Sequence, residues 1–195
     1  MQAGKYRVYF LLHCILLVTE TDLVKRRVEL QAYQDAELGL ALSKLESPAV
    51  LLGGGDLAGN NGPIYSPEIF RETVLPPMKN MLEKLNAEGV HYIFRPDGVL
   101  WPLMDMIFGE GGCPGYGEVD RYVGMSVGAI RKSFPKLVLW GNMSCQHLQE
   151  KSTEWIREDA QRCIEESKGT AYFHGPSNAI LKDTPIQAVE AMFSV

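Results

Sequence analysis

The chain is poor in the residues and patterns that mark several large classes of protein. Its four cysteines, Cys14, Cys113, Cys145 and Cys163, are scattered and form no C-x-x-C pair. That argues against a disulfide framework and against a structural zinc cluster, and the thiols read as reduced, as in a cytoplasmic protein. No G-x-G-x-x-G joins a strand to a helix, so the usual dinucleotide fingerprint is missing and no cofactor is expected on this ground. Basic clusters are absent too. Lysine and arginine number 19 against 24 acidic residues, a formal net charge of −5, which disfavours a surface built to neutralise phosphate backbones and hence a nucleic-acid partner. Long apolar runs are also lacking. The longest, residues 8–18, includes His13 and falls well short of the ~20 residues a membrane span needs. Lys5 and Arg7 precede it in the manner of a signal peptide, but Thr19, Glu20, Thr21 and Asp22 follow where a small-x-small cleavage site would stand. The run is expected to face the core, with no membrane partner.

What is present is an apolar content of 46% over 195 residues, enough for one core in a single domain, 1–195. Residues 21–44 carry Leu23, Val24, Val28, Leu38, Ala41 and Leu42 loosely at helical spacing. A short apolar run, 49–52, then stops at Gly53, Gly54, Gly55 and Asp56, as a buried strand does. Ser66 as N-cap and Pro67 at the first helical position open a helix that Pro76 and Pro77 should kink or restart and Gly89 should end. The unit then recurs. Strand 92–94 ends in Arg95, Pro96, Asp97 and Gly98 before a helical stretch, 100–108, and a glycine-rich loop, 109–117. Strand 117–120 leads to a helix from about 123 to 133, and strand 137–140 ends at Gly141 and Asn142. A Ser152-capped helix stops at Gly169, strand 171–174 follows, and Thr184 with Pro185 starts a last helix.

Five strands alternating with helices imply parallel βαβ units, in which strands covered on both faces read as apolar runs. Each strand ends in glycine or a polar residue, at the edge where (β/α)₈ barrels place their chemistry. A doubly wound open sheet would show the same alternation.

Three segments carry a more specific likeness: Ser66-Pro67-Glu68-Ile69-Phe70 leading to Leu75-Pro76, then Leu139-Trp140-Gly141-Asn142-Met143-Ser144, then Asp183-Thr184-Pro185 followed by Val189 and Ala191-Met192. In order and spacing they resemble the uroporphyrinogen decarboxylase superfamily, which includes porphyrinogen decarboxylases and corrinoid-linked methyltransferases. The resemblance covers about residues 48–195. It implies an α/β fold, a partial (β/α)₈ TIM-type barrel made of about the last five βα units, with the first three strands missing or replaced.

What the resemblance implies about chemistry depends on the branch. The decarboxylases work without a cofactor, removing CO₂ from pyrrole acetate side chains. Their arginine-rich carboxylate contacts and pyrrole-binding aspartate lie in the half this chain lacks, and Ser177 stands where they place a histidine. The methyltransferases bind zinc through His-x-Cys after one strand and a cysteine after the last. Here those positions read Arg95-Pro96-Asp97 and Ser177, so no metal is expected in the family's manner.

Seven residues at strand ends are the candidates for a small-molecule site, the ligand implied being a tetrapyrrole. Asp56 and His174 are the catalytic candidates. Asp56 follows three glycines that let a ligand approach and can accept from N–H donors, although an aspartate turn cap explains it equally. His174 can donate a proton near neutral pH, or it is a histidine satisfied at a strand end. Arg95 and Asp97 would bind substrate as a carboxylate-binding guanidinium and a neighbouring acid, with a Pro-Asp-Gly turn as the plainer account of Asp97. Asn142 would orient substrate or brace a loop. Ser177 and Asn178 begin a turn before the last helix, where anions bind well in barrels. A partial barrel leaves two sheet edges open, so a homodimer or a complementing chain is the expected protein partner.

Overall fold

In the computed structural model, residues 2–45, 48–168 and 171–195 are described, with side chains from Leu11 onward. The expected helix stop at Gly169 lies outside the described residues. By their internal contacts the residues fall into two compact units, Met1–Ala49 with Ile64–Val90, and Val50–Pro63 with His91–Val195.

The first unit is helical: α1 (Gln2–Thr19), α2 (Thr21–Ser43), α3 (Pro67–Thr73) and α4 (Leu75–Ala87). Ser66 caps α3 by accepting from the Ile69 N–H at 3.2 Å. Pro76 and Pro77 lack the N–H groups that would continue the α3 ladder, so the chain breaks at Val74 and restarts as α4. Leu75, Met78, Met81, Leu82 and Leu85 of α4 are buried, and α4 packs on α2, whose buried residues include the small Ala36 and Gly39. The expectation for the first apolar run is corrected here. Leu17 is buried, but Leu11, Leu12, Ile15 and Val18 are between 48% and 78% exposed, because a helix that is apolar all round has been covered on one side only. No described helix is long and apolar enough to cross a membrane.

The second unit is built on a five-stranded parallel sheet in the order β1 (Ala49–Gly53), β4 (Val90–Phe94), β5 (Gly115–Asp120), β6 (Val138–Met143) and β7 (Tyr172–Pro176). Between β1 and β4 the chain adds a small antiparallel hairpin of β2 (Ala58–Gly59) and β3 (Gly62–Pro63), which the sequence pattern does not announce. Helices α5 (Trp101–Met104), α6 (Val127–Ser133), α7 (Cys145–Glu150), α8 (Thr153–Ser167) and α9 (Ile186–Phe193) complete the βα units. A π-helical turn, Asp105–Glu110, extends α5, and a 3₁₀ turn, Arg121–Val123, precedes α6. One continuous helix from 123 does not form, because Gly124 takes a left-handed φ of 85° and Ser126 starts a new helix by capping the Ala129 N–H. This is the expected α/β architecture, five consecutive βα units of a partial (β/α)₈ barrel.

The sheet has two unlike faces. Met143 joins Leu148, Ile156, Ala160, Cys163, Ala188, Ala191 and Met192 in a core under α8 and α9. On the other face stand Ile93, Arg95, Trp140 and the bare backbones of Gly115 and Gly117, at which an added Cβ would meet Ile93, Arg95 or Trp140. Phe173, paired in register with Trp140, shares this face. In β1 the side of Gly53 is taken by the Tyr92 ring, so Val50 and Leu52 alternate to the open side and are 48% and 47% exposed. Parallel strands are normally covered on both faces. Here the two edge strands are covered on one.

Candidate functional site

The carboxyl ends of β4, β5, β6 and β7 gather the polar side chains of the second unit. Arg95 ends β4, where its N–H donates to the Gly53 carbonyl at 2.9 Å. Its side chain reaches Glu118 of β5, Nη1 to Oε1 at 3.1 Å, and lies over the Trp140 ring, 5.8 Å from the centroid. Asp97 is joined to the loop after β7: Asn178 Nδ2 donates to both its carboxylate oxygens at 3.0 Å. This single contact ties residues 81 positions apart, and it exists because parallel strands bring their C-terminal ends to one edge.

Asp120 ends β5. Its Oδ1 accepts from the Tyr122 N–H at 2.9 Å, and the hydroxyls of Ser144 and Ser177 add to its stabilisation. Ser177 is buried. Its N–H donates to the Met143 carbonyl at 2.7 Å and its hydroxyl accepts from the Cys145 N–H at 3.4 Å, fastening the end of β7 to that of β6.

Three of these carboxyl groups hold their protons to higher pH than usual. Burial raises Asp97 first, and the charges of Asp56 and Asp120 add to it against the Asn178 bond and Arg95. Glu118 is raised by burial and by Asp97 and Asp56, with Arg95 opposing. Asp120 is raised by burial, and its hydrogen bonds and His147 recover only part. Tyr116 of β5 is fully buried, its hydroxyl has no hydrogen-bond partner among the described residues, and burial together with Asp97 and Asp120 pushes its ionisation up. Carboxyl groups poised in this way suit proton transfer.

The sequence candidates divide accordingly. Arg95, Asp97, Ser177 and Asn178 meet at one edge. Asp56 is exposed in the loop after β1 and acts on Asp97 and Glu118 through its charge. Asn142 does not present itself to a ligand. It is fully buried, with Oδ1 accepting from the Val127 N–H at 3.2 Å and Nδ2 donating to the Met125 and Val119 carbonyls at 2.7 and 3.3 Å. These bonds brace the turn that leads into α6. His174 also turns from the site: Nε2 donates to the Met192 carbonyl at 2.9 Å, Nδ1 lies 3.2 Å from the Tyr172 hydroxyl, and Phe193 packs on the ring. A strand alternates its sides, and this residue falls on the helix-covered one. Glu118, Asp120 and Tyr116 were not among the sequence candidates, although the position of 118–120 at a strand end was the available signal.

A zinc site of the methyltransferase kind does not fit here. The positions that would supply His, Cys and Cys hold an arginine paired with Glu118, an aspartate bound to Asn178 and a buried serine hydroxyl, and no described group of three His, Cys, Asp or Glu could hold a metal.

Parallel βα units with their polar groups collected at the strand ends define a partial barrel of the (β/α)₈ type. The sequence profile of the uroporphyrinogen decarboxylase (URO-D) family matches residues 36–195, most of the chain, and the chain belongs to that family. Among solved structures it is similar to a methyltransferase from Methanosarcina mazei, with a TM-score of 0.73 and 18% identity over 92% of this chain. That likeness is one of fold. The chain spans half the length of the methyltransferase. No curated protein matches.

Proposed function

We propose that the strand-end site binds a carboxylated tetrapyrrole and that the chemistry it derives from is decarboxylation of porphyrinogen acetate side chains. The observation that carries this reading is the convergence of one guanidinium and several proton-holding carboxyl groups at one sheet edge, Arg95 with Asp97, Glu118 and Asp120. Arg95 binds a substrate carboxylate, while Asp97 and Asp56 accept from pyrrole N–H groups. A protonated carboxyl delivers its proton to a ring carbon, and the bond to the acetate carboxylate breaks with loss of CO₂ as its electron pair moves into the ring. The exocyclic methylene so formed then takes up a proton to become the methyl group, while the ring carbon gives its own back to the carboxylate. Since His174 is engaged with α9, Asp120 is the better donor. No cofactor enters this chemistry, and the free thiols suit a cytoplasmic setting.

The test is anaerobic incubation with uroporphyrinogen III, products being separated by chromatography, together with fluorescence titration of uroporphyrin III. Arg95→Ala is expected to weaken binding about 10- to 100-fold, the loss of a charge-assisted hydrogen bond. Absence of both binding and turnover in the intact chain would overturn the reading.

The fold likeness to a methyltransferase favours a second reading, methyl transfer with a corrinoid protein as partner and an acceptor that needs no zinc. Decay of the methyl–cobalt absorbance of methylcobalamin in the presence of a thiol tests it. A third reading follows from the exposed Val50, Leu52 and Phe173 on one sheet face: residues 1–195 are one family domain short of its first strands, non-catalytic alone, that completes its sheet with a second copy or another chain.

A further inference from the structure

Glu118 occupies a backbone position that suits glycine. Its φ is 61°, a left-handed conformation unfavourable for an L-residue with a long side chain. It sits in a break of register, since β5 pairs with β6 at Tyr116 and again at Val119 but slips in between. The residue before it, Gly117, is squeezed on the sheet face that carries Arg95 and Trp140. A Cβ there would lie 2.9 Å from both Arg95 Cγ and Trp140 Cε3. This bulge brings the Glu118 carboxylate to Arg95 Nη1 at 3.1 Å, with the carboxylate side chain 14% exposed and the arginine 36%. On its other side the guanidinium meets Trp140.

A glycine at 118 would take this backbone without strain, so the fold alone gives no reason for a glutamate. Strain of this kind persists where the side chain it delivers has a task. We propose that Glu118 is a positioning residue, which with Trp140 holds the Arg95 guanidinium in one orientation at the end of β4, ready for an anionic ligand. This rests on the reading of Arg95 as the anion contact. Left without Glu118, the arginine would sample several rotamers and would have to be ordered by the ligand itself.

The experiment compares the intact chain with Glu118→Gln and Glu118→Gly. Arginine side-chain ¹⁵N spectra without ligand, with the Arg95 signals identified by their loss in Arg95→Lys, are expected to show a guanidinium in slow rotation that becomes averaged in both variants. Thermal unfolding of Glu118→Gly should move up by roughly 2–4 °C as the backbone strain is relieved, while uroporphyrin III binding weakens about three- to tenfold in both. Arg95 signals unchanged in Glu118→Gln would overturn the proposal, as would tighter binding by that variant, which would make Glu118 a competitor for the arginine. If Glu118→Gly is less stable, the glutamate serves the fold and the proposal also fails. Should uroporphyrin III not bind the intact chain while Arg95 still depends on Glu118, the ligand assignment falls and the positioning role stands.

Discussion

Replacing Asn142 separates a brace from a ligand contact more sharply than any other substitution in this protein. Its amide makes three hydrogen bonds to backbone groups in a fully buried setting, to the Val127 N–H and to the Val119 and Met125 carbonyls, and its Oδ1 also accepts weakly from the Cys163 thiol at 4.0 Å. In Asn142→Ala all three backbone groups lose their partner, at about 1 kcal/mol each when relaxation is partial. The φ of 113°, tolerated by asparagine better than by alanine, adds about 1 kcal/mol. The expected loss is about 4 kcal/mol, a large fraction of the roughly 5–15 kcal/mol that holds a domain together. Asn142→Gly keeps the backbone free and should lose about 1 kcal/mol less. Asn142→Asp should be the worst of the three, since a carboxylate would face two carbonyl oxygens without water. Urea unfolding followed by far-UV circular dichroism, with matched slopes, measures all three. An alanine variant within 1 kcal/mol of the parent that nevertheless lost ligand binding would refute the brace and restore Asn142 to the site.

Other outcomes follow from the same geometry. Asp97, Glu118 and Asp120 ionise at higher pH in the folded protein, so the native state holds protons that the unfolded chain releases. Their contribution is complete below the ordinary aspartate value of 3.8 and is lost as pH rises through the raised values. Asp97→Asn should therefore flatten the decline of the urea midpoint with rising pH, and parallel pH curves would contradict this. Arg121 forms a fork on Glu166, at 3.1 and 2.8 Å, and lies 3.8 Å from the fully buried Asp159. Arg121→Ala should lose about 3 kcal/mol, because it frees Glu166 and leaves the buried Asp159 with only the half-exposed Arg162, also at 3.8 Å, and Asp159→Ala in that background should recover part of it in the same unfolding assay. Light scattering after size exclusion should find the isolated chain at twice its monomer mass or larger, because edge strands with an uncovered apolar face associate; a clean monomer would exclude this.

The elements were legible in the sequence wherever local chemistry decides them. Ser66 with Pro67, the proline pair after Val74 and the Ser152 cap mark helix boundaries by hydrogen bonds made within one turn, and all appear as read. The strand containing Trp140 was read to stop at Gly141 but runs on through Met143, because pairing with β5 and β7 overrides the local glycine signal. Residues 8–18 misled for a related reason: apolar content is local, but cover is supplied by neighbours. In the site, the ends of strands were predictable and the directions of side chains were not. Arg95 and His174 look alike as strand-end polar residues, yet one lies on Trp140 and the other under α9. Glu118 was hidden because its side chain is turned by a register slip, which no spacing rule encodes.

The bond between Asn178 and Asp97 makes the stretch after β7 a reporter on the site. One amide nitrogen of Asn178 reaches both oxygens of the carboxylate, so a ligand that grips the carboxylate from the same side does so by displacing it. Occupancy and loop order are then linked reciprocally: whatever binds Asp97 loosens residues 178–181, and whatever fastens those residues weakens the ligand. Amide exchange along that stretch should quicken on binding.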